Sequence, residues 1–388
     1  MTNFIGGNNI QLLRNGTEYF PALLSVIEKA SQEIYIQSYI YQHDDTGIKI
    51  GNGLMQAAKR GVSVNVLLDG FGSKDLPKAY IEELTRAGVK VIFYRKKISP
   101  WSLKKRRLRR LHSKIAVIDS HIGFVGGINI IDDYDIPNNT QNKTPPRIDY
   151  AVRIEGKLLQ PLATSVQNLW RRMAWLHFRS SYSINIKPKR YEEHKANINA
   201  ALVVRDNVLH RRDIEDAYLN AIELAKNEIL IANAYFVPGR KFRTALLNAA
   251  KRGVKVNLLL QGRMEYFLMF ATHAFYAQLL GAGINIYEYR KSFMHSKVAV
   301  IDSMWATVGS SNLDPFSLLL AREANVMILN ENFAKELKAD IESAIQDGAI
   351  RINPDSWVRG NIVKRLASWI AYGVVRALLG LVGHTHEK

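Results

Sequence analysis

The chain reads as an α/β protein made of two related halves, each a mixed β-sheet flanked by helices, paired about a pseudo-twofold axis. Three observations lead there. Continuous apolar strands such as 62–68 (VSVNVLL) and 254–260 (VKVNLLL) alternate with helical stretches, the pattern of a largely buried sheet covered by helices. The segment 57–70 (AAKRGVSVNVLLDG) returns almost unchanged at 249–262 (AAKRGVKVNLLLQG). Lastly, 111–129 (LHSKIAVIDSHIGFVGGIN) is answered by 294–312 (MHSKVAVIDSMWATVGSSN), with a histidine, a lysine, an aspartate and an asparagine at the same offsets.

The elements follow in order. In the first half a helical stretch leads into the apolar run 33–41 (EIYIQSYIY). A helix then ends at Gly61, a residue suited to a C-cap. The strand 62–68 comes next, then a further helix, the strand 89–95 (VKVIFYR) and the strand 114–119 (KIAVID). The second half repeats this with 228–236 (EILIANAYF), a helix ending at Gly253, and strands 254–260, 284–290 (INIYEYR) and 297–302 (KVAVID). The first half is longer between its YRK and His112, within 97–111 (KISPWSLKKRRLRRL). The expected boundaries are 1–178 for the first domain, 179–196 for a polar, proline-containing linker and 197–355 for the second domain. A C-terminal segment, 356–388, remains.

Bulk properties narrow the function classes. A length of 388 residues is comfortable for two domains. There is no cysteine, so disulfides and thiolate chemistry are excluded, which fits a reducing compartment. No basic region followed by a long apolar run opens the chain, so no signal peptide or N-terminal anchor is expected. Fifty-three basic against thirty-five acidic residues leave a net charge of +18, which gathers anions: nucleic acid, a membrane leaflet or a phosphorylated substrate.

The repeated motif carries the chemistry. Alternate residues of a strand share a face, so His112 and Lys114, like His295 and Lys297, point the same way if the strand reaches back to the histidine. Asp119 and Asp302 complete the motif at an odd offset near the strand's end, where a turn or pairing role is expected within the catalytic set. Asn129 and Asn312 follow a second apolar strand and a glycine turn, where an amide can donate to a phosphate oxygen. Two histidines, two lysines and two asparagines on one shared face suit a phosphodiester. One neutral imidazole attacks phosphorus and forms a covalent intermediate. The other gives its proton to the leaving alkoxide and later takes one from the acceptor. The lysines and asparagines stabilise the equatorial oxygens, and neither a metal nor a cofactor is expected.

Written twice, H-x-K-x(4)-D-x(6)-G-[GS]-x-N resembles the signature of the phospholipase D superfamily. Over essentially its whole length the chain is similar to the bacterial cardiolipin synthases, in the shorter type B form without N-terminal transmembrane helices. The stretches 67–73 (LLDGFGS), 147–156 (RIDYAVRIEG), 231–239 (IANAYFVPG) and 306–315 (ATVGSSNLDP) carry this likeness beside the motifs. The resemblance implies a phosphohistidine intermediate, with His112 favoured as nucleophile and His295 as acid and base. It also implies an acidic residue that orients the histidine of the opposite half, Asp149 and Glu323. Gly127 stands in the first motif where the second has Ser310, so a hydroxyl contact to phosphate, if made, comes from Ser310 alone.

Three features favour a lipid over a nucleic acid. From Ile362 to Val382 the chain places Arg365, Ser368, Tyr372 and Arg376 on one side of a helix and apolar residues largely opposite, as in a helix lying in a membrane interface. Trp101 with Lys104, Lys105, Arg106, Arg107, Arg109 and Arg110 forms a basic cluster beside His112, suited to anionic head groups and equally to a nucleic-acid backbone. The stretch 264–280 (MEYFLMFATHAFYAQLL) is far more apolar than its counterpart 73–86. The expectation is a peripheral enzyme on the cytoplasmic face of the bacterial inner membrane. It would transfer a phosphatidyl group to phosphatidylglycerol on an anionic phospholipid membrane, with no nucleic-acid partner. A phospholipase D hydrolase, a nucleic-acid phosphodiesterase and a non-catalytic membrane-binding scaffold are the alternatives.

Overall fold

The computed structural model describes residues 2–95, 109–136, 144–179, 182, 194–206, 210–263, 271–314, 321–359, 370 and 373. Most of the expected linker, Trp101 through Arg107 of the basic cluster, residues 264–270 and nearly all of the C-terminal apolar segment lie outside them. The first half runs β1 (Ile5–Arg14), α1 (Asn15–Lys29), β2 (Glu33–Ser38), α2 (Asp45–Lys59), β3 (Ser63–Asp69), α3 (Lys78–Arg86), β4 (Lys90–Tyr94), β5 (Arg110–Leu111), β6 (Lys114–Ile118), β7 (Ile122–Gly126), β8 (Tyr150–Gly156) and α4 (Leu159–Leu176). The second runs β9 (Ile198–Arg205), α5 (Asp213–Leu224), β10 (Glu228–Asn233), α6 (Arg240–Lys251), β11 (Lys255–Gln261), α7 (Tyr276–Gly281), β12 (Asn285–Tyr289), β13 (Lys297–Ile301), β14 (Trp305–Gly309), β15 (Ala321–Leu329), α8 (Glu331–Gly348), β16 (Ala349–Arg351) and α9 (Pro354–Arg359).

Local chemistry accounts for the elements. The strands β6 and β13 are apolar and buried from end to end after their leading lysine, as a sheet covered on both faces requires. Helix α2 starts where the Asp44 side chain accepts from the Gly47 N–H at 2.8 Å, and α8 where Asn330 accepts from Phe333 at 2.9 Å. Each helix turns an apolar stripe inward, Ile50, Leu54 and Ala57 in α2 and Phe333, Leu337 and Ile341 in α8. Burying a side chain such as Leu54 or Phe333 stabilises by about 1.5–3 kcal/mol. After α2 and α6 the chain reverses through Gly61 and Gly253, both at φ +89°, which lets the next strand begin at once.

One sheet crosses both halves. Outward from a central pair, β1 against antiparallel β9, the first half is ordered β1-β8-β7-β6-β2-β3-β4 and the second β9-β15-β14-β13-β10-β11-β12-β16. The same order is thus laid out twice from one seam, and the mixed α/β architecture is as expected. A buried cluster joins the halves: Val125, Val152 and Ile154 of the first pack with Val298, Val308 and Val326 of the second, beneath Leu162 and Trp170 of α4 and Leu337 of α8. Among the described residues no helix is long and apolar enough to cross a membrane.

Candidate active site

The histidine loops are held by the opposite half. β5 runs parallel to β15, pairing Arg110 with Ala321 and Leu111 with Arg322, and the His112 N–H donates to the Arg322 carbonyl at 2.9 Å. On the other side Met294 bridges to Ile148, and the His295 N–H donates to the Ile148 carbonyl at 2.8 Å. In both cases the residue that follows the accepting carbonyl is acidic. Hence His112 Nδ1 meets the Glu323 carboxylate at 2.9 Å, and His295 Nδ1 meets Asp149 Oδ2 at 2.7 Å. Each imidazole takes its carboxylate from the half it does not belong to. The carboxylates are buried, while the histidine side chains keep 14% and 12% of their surface, so the far edge of each ring stays reachable.

The lysines stand where β6 and β13 begin. The strands do not extend back to the histidines, a difference from the expected shared strand face. Instead each lysine folds onto its own histidine loop: Lys114 Nζ donates to the His112 carbonyl at 2.6 Å, and Lys297 Nζ to the His295 carbonyl. Lys297 Nζ also lies 2.9 Å from His295 Nδ1. The field of Lys297 is felt at His112 and that of Lys114 at His295, which joins the two halves into one electrostatic site.

Burial sets the charges. It pulls Lys114 down to about 7 and Lys297 to about 8, against the pull of Asp149 and Glu323. Burial, reinforced by Lys297, drives His295 to about 3, and burial lowers His112 as well although Glu323 opposes it. For Asp149 burial pushes upward, but Lys297 and His295 prevail and hold its carboxyl below the ordinary range.

The remaining expected residues divide. Asn129 Oδ1 accepts from the Ile40 N–H at 3.1 Å, which leaves the amide nitrogen as the group able to donate elsewhere; Asn312 is buried at the equivalent position. Ser310 is corrected: its hydroxyl donates to Glu323 Oε2 at 2.6 Å and accepts from the Ala324 N–H at 3.0 Å, so it braces the carboxylate instead of facing a phosphate. Grouping Asp119 and Asp302 with the catalytic residues is corrected too. They sit past the far ends of β6 and β13, roughly 20 Å along the strand from the histidines at the usual rise per residue. Asp119 accepts from the backbone of Ser31, Gln32 and Glu33, and Asp302 from Lys226, Asn227 and Glu228, at 2.7–2.9 Å. They fasten the starts of β2 and β10, as the odd offset foretold.

Two kinds of neighbour escape the motif. Tyr39 lies edge-on to His112 with ring centroids 4.8 Å apart and beneath Lys114 Nζ at 5.3 Å, while Phe293 stacks on His295 at 6.2 Å. Asp69 accepts from the Leu111 N–H at 2.8 Å and so anchors the His112 loop to the end of β3. The signal was present in the repeat, because LLDG in the first half becomes LLQG in the second and Asp69 is replaced by Gln261.

Known proteins can be set beside this geometry. The family model "Cardiolipin synthase, PLD-like domain" matches residues 23–135 and 218–345. Cardiolipin synthase B of Escherichia coli (strain K12) is 37% identical over 382 residues, covering 97% of this chain and 90% of that protein. Cardiolipin synthase B of Salmonella typhimurium (strain LT2) is 38% identical over 388 residues with the same coverage. Among solved structures, phosphatidylserine synthase of Haemophilus influenzae Rd KW20 superposes with a TM-score of 0.69 at 14% identity over 97% of both chains, a likeness of fold.

Proposed function

The chain belongs to the cardiolipin synthase family with its phospholipase D-like domain, and from that premise we propose that it condenses two phosphatidylglycerols into cardiolipin and glycerol through a phosphatidyl-histidine intermediate. The observation that carries this reading is the reciprocal pairing of His112 with Glu323 and His295 with Asp149. A carboxylate on Nδ1 fixes the tautomer and leaves Nε2 facing the substrate.

Both histidines take the same tautomer, and the likeness to the family favours His112 as nucleophile and His295 as acid and base. Among the described residues Glu323 meets the His112 ring nitrogen, so Nδ1–H donates to it and Nε2 carries the attacking lone pair. At His295 the Asp149 carboxylate likewise accepts from Nδ1–H, so a proton taken up at Nε2 makes the imidazolium that serves as the acid. His112 Nε2 bonds to phosphorus, the bond to the glycerol oxygen breaks, and His295 delivers the proton to the departing alkoxide. Bound diester offsets the lysine charges that, after burial, hold His295 low, and so restores its capacity to carry that proton. The hydroxyl of a second phosphatidylglycerol then loses its proton to His295 and attacks phosphorus. Cardiolipin forms and His112 is freed. Lys114, Lys297 and the amides of Asn129 and Asn312 stabilise the equatorial oxygens as charge builds. We place the enzyme peripherally, on the cytoplasmic face of the inner membrane.

Purified protein incubated with phosphatidylglycerol vesicles should yield cardiolipin and glycerol in equal amounts, and His112→Ala should yield neither. Phosphatidic acid without cardiolipin would make the protein a hydrolase and reject the synthase reading.

A further inference from the structure

A second basic site adjoins the His112 loop through Arg322, whose carbonyl accepts from the His112 N–H, and Arg109, which precedes β5. A cavity of about 300 Å³ there is lined by Arg95, Arg109, Arg172 and Arg322, with Asp206 as the carboxylate among its lining residues. One side of it is apolar, formed by Leu169, Met173 and Leu176 of α4. Arg322 is half-buried in it; the loss of hydration lowers its pKa, and Arg172 adds to that lowering. Four guanidiniums facing one carboxylate leave an excess of positive charge in a half-enclosed space, a fit for a phosphate held by planar donors.

What surrounds the cavity indicates where that phosphate comes from. The last turn of α4 and the residues after it expose Trp175 (76%), Leu176 (50%) and Phe178 (96%), interleaved with His177 and Arg179. Across Arg109 and Arg110 stands Phe71, 45% exposed and flanked by the Arg110 guanidinium at 5.1 Å and Lys74 Nζ at 5.6 Å. Phe71 follows the C-terminal end of β3, and Arg95 that of β4, the same end of the sheet at which Asp69 ties down the His112 loop. Exposed aromatic residues alternating with cations are the dress of a membrane interface, where apolar rings enter the acyl boundary and guanidiniums meet the head groups.

We propose that this pocket binds the phosphate of a non-reacting anionic phospholipid in the leaflet, with Trp175, Leu176, Phe178 and Phe71 seated in the interface, so that the His112 side of the molecule is pressed against the membrane. The proposal rests on the enzyme's working on lipid, and its test is separable from the synthase reading. Arg95→Gln/Arg172→Gln and Trp175→Ser/Phe178→Ser are compared with wild type for binding to phosphatidylglycerol-containing and pure phosphatidylcholine vesicles. Turnover of a short-chain phosphatidylglycerol kept monomeric is measured in parallel.

The arginine pair should lose about thirtyfold in affinity for anionic vesicles, the equivalent of about 1 kcal/mol per charge removed. Its binding to phosphatidylcholine and its turnover of monomeric lipid should stay at the wild-type level, and inorganic phosphate should leave vesicle binding unchanged. The aromatic pair should weaken binding to both kinds of vesicle. Wild-type binding by the arginine pair, equal loss on both vesicles, displacement of wild type by inorganic phosphate, or a parallel fall in monomer turnover overturns the proposal. If wild type hydrolyses phosphatidylglycerol yet the arginine pair shows the selective loss, the proposal stands and the synthase reading falls.

Discussion

At the scale of the residue, the site keeps its cations in an environment that disfavours them until substrate arrives. Burial holds Lys114 at about 7 and Lys297 at about 8. A diester anion favours the ammonium forms and raises both values, so binding takes up protons wherever the lysines are neutral. Affinity is therefore full below pH 7 and falls as pH rises through 7 and 8. The dissociation constant of a non-hydrolysable phosphonate analogue, measured by calorimetry, should grow by at least about tenfold between pH 7 and 9, with net proton uptake on binding. A flat profile would mean that the lysines are already charged. The acidic partners differ as well. A Cβ at Gly127 would lie 2.1 Å from Asp149 Oδ1, whereas Ser310 fits and braces the longer Glu323. Gly127→Ser should accordingly displace Asp149 and cut kcat at least tenfold, more than Ser310→Gly, in steady-state assays on monomeric lipid. The Gly127 and Ser310 difference was visible in the sequence. Its reason was not, because it depends on side chains that meet only after the halves assemble.

At the scale of the element, the repeated motif is a β-hairpin with work at both ends. The histidine end borrows its partners from the opposite half, and the aspartate end secures the sheet. Asp119 and Asp302 occupy φ +51° and replace missing partners for three consecutive backbone N–H groups. Asp119→Ala and Asp302→Ala should each lower stability by about 1–3 kcal/mol in denaturant titrations, while the folded fraction keeps kcat within about twofold. A stable but inactive variant would return these residues to the chemistry. Periodicity revealed β2, β3, β4, β6 and their counterparts because buried strands are apolar throughout. It did not reveal β5, since a two-residue strand has no period, and its pairing with β15 was decided by contacts 211 residues apart, of the kind His112 makes with Glu323.

At the scale of the whole molecule, the two halves are mutually dependent at the site. The β1 and β9 seam is reinforced where Arg14 bridges to Asp340 and Glu336 of α8 at 2.8 Å, and Tyr150, next to Asp149, donates to Asp340 at 2.5 Å. A duplication seen at the level of sequence implied two similar units; that each would complete the other's histidine followed from the likeness to a family, and only the crossed pairings give it a physical cause. The most direct test is rapid-quench peptide mass spectrometry of the enzyme turning over phosphatidylglycerol, with alkaline handling to preserve phosphoramidates. A phosphatidyl group should appear on the peptide bearing His112, and Glu323→Gln should diminish it. Cardiolipin accumulating with no adduct on either histidine would contradict the account.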